Sequence, residues 1–234
     1  MINNTDILYV LATNNPGKAK EIKPLFEAVG LRLITLADLG ARLSGFDGFD
    51  GFDGFNGLNE LNEFKAGEDG DTFLDNATQK ARETADFLNK QGLNENFAVL
   101  ADDSGLEIDA MGGAPGVDSA LFMGQDTPYP IRCQAILDNL AHVPIQNRTA
   151  RFKCTLVCLM PDGAALVAEG SIEGHIAHEM AGGGGFGYDP IFFYPPHNKT
   201  LAQLTSHEKS KVSHRGRAIQ KMIGLIIGEN TRNQ

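Results

Sequence analysis

Two short apolar runs restrict the fold of this chain more than any other feature of its sequence. Residues 7–12 and 97–101 are uninterrupted apolar stretches of buried-strand length, and each leads into polar turn residues. After the first run, apolar residues recur at helical spacing, at Ile22, Leu25, Phe26 and Val29. Buried strands that alternate with helices are typical of an α/β sheet.

The rest of the chain adds helices and an antiparallel component to this sheet. The patterns predict helices at 18–29, 73–88, 130–140 and 213–227, and a hairpin of strands 152–160 and 164–172 around Pro161-Asp162-Gly163. A Gly-Phe-Asp repeat at about 45–64 matches neither the strand nor the helix period, so it is predicted to be a surface insertion. We therefore predict one α/β domain around a mixed sheet flanked by helices, covering residues 1–234.

The composition excludes several classes of protein. Thirty acidic and twenty basic residues give a formal net charge of -10, whereas a general nucleic-acid coat carries a basic surplus. No stretch approaches the roughly 18 to 20 apolar residues of a membrane span, and no secretory signal is visible. Cys133, Cys154 and Cys158 lack disulfide spacing, which suits a reducing compartment. These features predict a cytoplasmic protein that binds neither nucleic acid nor membrane.

A polar turn after the first apolar run is the first of four blocks whose residues could bind a ligand or take part in catalysis. Thr13-Asn14-Asn15-Pro16-Gly17-Lys18 lies between a predicted strand and a predicted helix. Backbone N–H groups at a helix N-terminus, with a hydroxyl, an amide and a lysine, suit phosphate oxygens. The spacing of a P-loop is absent, and an ordinary helix-initiating turn fits the same residues equally well.

Two adjacent aspartates form the second block, Asp102-Asp103-Ser104-Gly105, at the predicted end of the second apolar run. Neighbouring carboxylates are costly unless a cation lies beside them, and Mg²⁺ or Mn²⁺ is the usual cation for oxygen ligands. Only one of the two need face a site, because successive strand side chains point to opposite faces. A turn in which one Asp caps the backbone is the alternative interpretation.

The last two blocks combine glycines, rings and cations. Gly182-Gly183-Gly184-Gly185-Phe186-Gly187-Tyr188-Asp189-Pro190 allows close backbone approach to a ligand and stacking of a ring on a planar group. In the segment 208–216, Ser213 is predicted to be the N-cap of the last helix. His214 and Arg215 would then occupy its first turn, where cations are unfavourable unless an anion or polar ligand is bound.

With these blocks in this order, the chain resembles the inosine triphosphate pyrophosphatase family, whose members hydrolyse non-standard purine nucleoside triphosphates. The resemblance runs from about Ile7 to Leu225. It rests on Thr13-x-Asn15-x-x-Lys18, Asp102-Asp103-Ser104-Gly105-Leu106, Gly112-Gly113-Ala114-Pro115-Gly116, Phe186-Gly187-Tyr188-Asp189-Pro190 and Ser213-His214-Arg215-Gly216. It implies an elongated, two-lobed fold, a homodimer, and Mg²⁺-dependent hydrolysis (Mn²⁺ as a substitute) of ITP, dITP or XTP to the monophosphate and pyrophosphate.

The resemblance also implies roles for individual residues. Asp103 would bind the metal and act as the catalytic base, and Glu68 would be the second metal ligand, with Glu60 and Glu63 as rivals. The implied substrate-binding residues are Thr13, Asn14, Asn15, Pro16, Gly17, Lys18, Lys80, Ser104, Phe186, Gly187, Tyr188, Asp189, Lys209, His214 and Arg215.

The chain departs from the family pattern at Asp118 and Leu121, where the family usually has Tyr and Arg. The family pattern therefore does not predict the residues that line the substrate entrance or the dimer contacts near residue 118. Two other functions are compatible with the blocks. One is a nucleotide-binding regulator that lacks turnover, and the other is a related pyrophosphatase of pyrimidine or other modified nucleotides.

Overall fold

The computed structural model of the chain describes residues 7–44, 61, 63–93 and 96–232. Its strands are β1 Leu8–Ala12, β2 Leu33–Thr35, β3 Phe97–Ile108, β4 Thr149–Leu159, β5 Ala165–Ile176, β6 Phe192–Tyr194 and β7 Lys199–Thr200. Its α-helices are α1 Pro16–Glu27, α2 Leu36–Ser44, α3 Phe73–Lys90, α4 Tyr129–Asn139, α5 Ser206–Val212 and α6 His214–Arg232. In this part of the chain, no helix combines the length and the apolar character that crossing a membrane requires.

Within the described residues, seven strands form one sheet in the order β2-β1-β3-β4-β5-β6-β7. Strand β1 is parallel to both β2 and β3, whereas β6 is antiparallel to β5 and β7. The predicted α/β class with a mixed sheet is confirmed, and the predicted helices and hairpin strands are found close to their predicted bounds. Nearly all of the Gly-Phe-Asp insertion lies outside the described residues.

Strand β3 is longer than predicted. The sequence suggested that it ends at Ala101, with Asp102-Asp103-Ser104-Gly105 just after its end, but the strand continues to Ile108. The two carboxylates are tolerated inside a strand because each has a lysine ammonium beside it. Beyond them, Leu106 and Ile108 are fully buried, so core packing holds the strand extended.

The described residues within the ranges 1–103, 155–168 and 219–234 form one compact unit. Its core joins the strands to the apolar faces of α2 and α3, and includes Leu8, Val10, Leu36, Leu39, Ala77, Ala81, Leu88 and Val99. Ala12 of β1 pairs with Ala101 of β3 in parallel register. The block that begins at Thr13 and the aspartates at 102 and 103 therefore follow paired residues on neighbouring strands.

Residues 104–154 and 169–218 form the second compact unit. Its core includes Leu106, Ile108, Ile136, Phe152, Ile172, Ile176 and Phe192. At Gly170 of β5, an added Cβ atom would overlap the carbonyl oxygen of His214. Glycine at this position therefore lets β5 approach the first turn of α6, where His214 and Arg215 lie.

Helix α3 begins with a capping hydroxyl whose removal has a predictable effect. The Thr72 hydroxyl accepts a hydrogen bond from the backbone N–H of Asp75 at 3.1 Å. We expect Thr72→Ala to lower the free energy of unfolding by about 1 kcal/mol, because a helix donor loses its partner. Urea denaturation measures this change, and Thr72→Ser should retain wild-type stability. Equal losses in both variants would show that the cap is not the cause.

Candidate active site

Two lysines and three carboxylates of the first unit form what we name the carboxylate–lysine cluster, with Lys18, Glu68, Lys80, Asp102 and Asp103 as its members. Lys80 Nζ lies 2.7 Å from Glu68 Oε1 and 3.3 Å from Asp103 Oδ1. Lys18 Nζ lies 3.1 Å from Asp102 Oδ2. The two predicted metal ligands, Glu68 and Asp103, thus share one cationic partner.

Burial shapes the electrostatics of this cluster. It raises the pKa of Asp103 above its ordinary value, and the ammonium groups of Lys80 and Lys18 only partly oppose this rise. Burial alone would lower the pKa of Lys80, but the carboxylates of Asp103, Asp102 and Glu68 outweigh it and raise that pKa. Lys80 is therefore a firmly charged ammonium between carboxylates.

One buried amide in this region was missed by the sequence analysis. Asn76 Nδ2 donates to Asp103 Oδ2 at 3.0 Å, and the Gly70 N–H donates to Asn76 Oδ1 at 2.8 Å. A signal for it exists in the sequence, because Asn76 and Lys80 are four residues apart and therefore share a face of α3. The other buried residues of α3 are Phe73, Ala77, Ala81, Thr84 and Leu88.

The block Thr13 to Lys18 starts helix α1. Asn15 is the N-cap, and its Oδ1 accepts from the N–H groups of Gly17 at 2.9 Å and Lys18 at 3.3 Å. Thr13 Oγ1 accepts from the N–H of Asn15, and Asn14 Nδ2 donates to the carbonyl of Phe64. These contacts match an ordinary helix start, and Lys18 alone of the block contacts the carboxylates. Phosphate binding by this block stays a prediction.

A second group of predicted residues gathers in the second unit, and we name it the aromatic–arginine cluster. Its members are Ser104, Phe186, Asp189, Lys209 and Arg215. Arg215 Nη2 donates to Ser104 Oγ at 2.8 Å, and the guanidinium carbon lies 5.4 Å from the centroid of the Phe186 ring. The Lys209 ammonium lies 4.9 Å from the same centroid and is paired with the buried Asp189 carboxylate. Asp189 also accepts from the N–H of Phe186 at 2.8 Å.

Three further predicted substrate contacts have packing roles in the structure. Tyr188 belongs to the core of its unit, where its hydroxyl donates to the Ser119 carbonyl at 2.8 Å. His214 is buried and stacks on Phe152, with the ring centroids 4.8 Å apart. Gly187 has a φ of 67° and its carbonyl accepts from Cys133 Sγ. Phe186 is the predicted ring that lies beside the cations Lys209 and Arg215.

The segment around Asp118 and Leu121, where the chain departs from the family pattern, is hydrogen-bonded to a buried arginine side chain. Arg132 is 2% exposed. Its guanidinium donates to the carbonyls of Ser119, Ala120, Gly124, Gln125 and Thr127. Asp118 and Leu121 themselves are exposed. A cation therefore does support this segment, but it comes from helix α4.

In the described part of the chain, no group of three or more His, Cys, Asp and Glu side chains is arranged to hold a metal ion. Glu68 and Asp103 are instead joined through Lys80. Of their two sequence rivals, Glu60 lies outside the described residues, and Glu63 is exposed.

Comparison with known proteins decides the family. The model of the Ham1 family matches residues 9–225, which is most of the chain. The chain belongs to the Ham1 family. A Ham1 protein from Staphylococcus aureus has a solved structure that superposes with a TM-score of 0.72 at 33% identity, covering 95% of this chain and 99% of that one. A Ham1 protein from Coxiella burnetii gives the same values.

Sequence relatives of the chain carry a functional name. The dITP/XTP pyrophosphatase of Desulforamulus reducens is 40% identical over 217 residues, which covers 93% of this chain and 94% of that protein. The dITP/XTP pyrophosphatase of Escherichia coli K12 is 40% identical over 219 residues, covering 93% and 96%. The resemblance drawn from the sequence motifs is thereby confirmed.

Proposed function

We propose that this chain hydrolyses non-standard purine nucleoside triphosphates, namely ITP, dITP and XTP, to the monophosphate and pyrophosphate, and so cleanses the nucleotide pool. One observation carries the proposal. The lysine ammonium of Lys80 is held between Glu68 and Asp103, in a chain that is about 40% identical to enzymes named dITP/XTP pyrophosphatases. Such a set of alternating charges suits a polyanionic substrate that arrives with a divalent cation.

The donor set fits the metal that this reaction needs. Glu68 and Asp103 offer carboxylate oxygens, the ligands that Mg²⁺ and Mn²⁺ prefer, and they already face one shared cation. The Glu68 side chain is 43% exposed, which leaves room for the waters that Mg²⁺ retains. We assign Glu68 and Asp103 as the residues that hold the metal. When bound, the ion supplies charge neutralisation at the phosphates and a more acidic water.

The side chains of the carboxylate–lysine cluster then stabilise the leaving group and transfer the proton. Lys18 and Lys80 are largely buried, so their charge is poorly screened and acts strongly on a neighbouring phosphate. They stabilise the negative charge that develops on the departing pyrophosphate. Asp103 takes the proton of the attacking water as the general base.

We assign the purine ring to the aromatic–arginine cluster. The Phe186 ring offers a face for stacking, and Arg215 holds a rigid fork of donors beside it. Donors aimed at a 6-oxo group disfavour adenine, because its amino group leaves them unpaired. Guanine shares the 6-oxo group, so its rejection depends on contacts at the 2-amino position.

The homodimer, the single catalytic domain over residues 1–234 and the cytoplasmic location remain parts of this proposal. They follow from the family resemblance and from the composition of the chain. Sedimentation analysis of the purified protein tests whether it is a homodimer. A single species with the mass of one chain would contradict the dimer.

The deciding experiment is product analysis with Mg²⁺ on ITP, dITP, XTP, GTP, ATP and dTTP. We expect monophosphate and pyrophosphate from the first three and little product from the others. Orthophosphate as the product would place the attack at the terminal phosphate and overturn the proposed cleavage. Binding of ITP without turnover would instead favour a regulator, and efficient cleavage of dTTP would favour the related pyrophosphatase.

A further inference from the structure

The buried amide of Asn76 connects the two residues that we assign to the metal. Its Nδ2 donates to Asp103 Oδ2 at 3.0 Å, while its Oδ1 accepts from the N–H of Gly70 at 2.8 Å. Gly70 stands two residues after Glu68 in the chain. The Asn76 side chain therefore contacts both the Asp103 carboxylate and the backbone of the loop that carries Glu68.

Both contacts determine the orientation of the Asn76 amide. A backbone N–H requires an acceptor and a carboxylate oxygen requires a donor, so a flipped amide would lose both hydrogen bonds. Asn76 is 3% exposed and sits in the first turns of α3. Its rotamer is thus fixed by packing as well as by hydrogen bonds.

This orientation decides which oxygen of Asp103 is available. With Oδ2 engaged by Asn76, the other oxygen, Oδ1, faces Lys80, whose ammonium also binds Glu68. Without the amide, the Asp103 carboxylate can rotate about its terminal torsion, which has a broad energy minimum. Asn76 thereby fixes the orientation of the Asp103 carboxylate, which together with Glu68 would hold the metal.

The geometry points to Asn76 as a positioning residue that orients Asp103 and ties it to the Glu68 loop, so that both carboxylates are arranged for the metal before it binds. This inference rests on the proposed function, because it presupposes that Glu68 and Asp103 hold the metal. A partner that orients a metal ligand typically changes metal affinity or activity by about 10- to 100-fold.

The same helix offers a matched control. Glu83 Oε2 accepts from the N–H of Gly67 at 2.7 Å, so it also anchors the loop that carries Glu68. Its other described side-chain partner is Gln79, whose Nε2 donates to Glu83 Oε1 at 2.9 Å. Asn76→Ala and Glu83→Ala therefore both remove a loop anchor, but only the first also removes a donor to Asp103.

The test is titration of the nucleotide-free protein with Mn²⁺, followed by electron paramagnetic resonance, with ITP turnover measured in parallel. We expect Asn76→Ala to weaken Mn²⁺ binding about 10- to 100-fold and to lower kcat more than it changes KM. Glu83→Ala, which removes a loop anchor but keeps the donor to Asp103, should change both measurements much less than Asn76→Ala does. Equal weakening in the two variants, or wild-type Mn²⁺ binding by Asn76→Ala, would overturn the inference.

A second variant covers the case that Asn76→Ala does not fold. Asn76→Asp keeps an acceptor for the Gly70 N–H but replaces the donor to Asp103 with another carboxylate oxygen. We expect its kcat to fall by at least about tenfold while circular dichroism reports an intact fold. A wild-type kcat would contradict the positioning role. Hydrolysis of ITP by the wild-type protein tests the proposed function separately, so the two ideas fail independently.

Discussion

Replacement of Asp103 with Asn is expected to lower the kcat for ITP by about 10²- to 10⁴-fold, the range that a positioned general base contributes. The variant keeps the volume of the side chain but loses the negative charge that a metal ion and a proton both require. KM should change little by comparison, because Lys18, Lys80 and the aromatic–arginine cluster are untouched. The measurement is pyrophosphate release at saturating ITP and Mg²⁺.

The fold of the Asp103→Asn variant should survive, which separates a chemical effect from a structural one. Lys80 keeps its contact with Glu68 at 2.7 Å, so its ammonium is still paired. Asp86→Asn serves as the control, because Asp86 is an exposed carboxylate on α3. Thermal unfolding of both variants should resemble that of the wild type. Retained turnover in a folded Asp103→Asn protein would remove Asp103 from the mechanism.

The elements of the fold were predictable wherever local pattern and burial agree. Strand β1 is buried along its whole length, so its continuous apolar run is an unambiguous signal. Helix α3 shows the same agreement, with a capping Thr72 followed by buried positions at helical spacing. The N-cap role of Ser213 was likewise predictable, and its hydroxyl accepts from the N–H of Gly216 at 3.0 Å.

Prediction failed where a distant partner changes the meaning of a local signal. The strand was predicted to end before Asp102 and Asp103, because adjacent carboxylates are costly without a cation, yet the two are paired with Lys18 and Lys80, which lie 84 and 23 positions earlier. The hydrogen bond from the Tyr188 hydroxyl to the Ser119 carbonyl, 69 positions away, is another contact that local pattern does not indicate, and substrate binding by Tyr188 stays a prediction. Such contacts exist only once the sheet and the loops are assembled.

Arginines that bond to backbone carbonyls are the least predictable class in this chain. Arg132 and Arg148 each place their guanidinium among main-chain carbonyl groups. The positions of those carbonyls depend on the path of the loops, for which the side-chain sequence offers no pattern. Arg is seldom fully buried, so the residue type alone does not indicate the position of either side chain.

The buried pair of Asp189 and Lys209 leads to the second prediction of large effect. Both side chains are almost fully buried, and Lys209 also lies over the Phe186 ring. Removal of one partner leaves the other charge in a poorly solvated place, which typically lowers the free energy of unfolding by about 3–5 kcal/mol. We expect a loss of this size for Asp189→Asn and for Lys209→Met, measured by urea denaturation.

The double variant Asp189→Asn/Lys209→Met distinguishes stability from recognition. Because no buried charge of the pair remains, most of the lost free energy of unfolding should return. The effects of the two substitutions should therefore be strongly non-additive. The KM for ITP should nevertheless stay well above the wild-type value, since the carboxylate that accepts from the Phe186 N–H and the Lys209 ammonium over the Phe186 ring are both gone. Recovery of stability and KM together would mean that the pair only supports the fold, and that the purine ring is recognised by other residues.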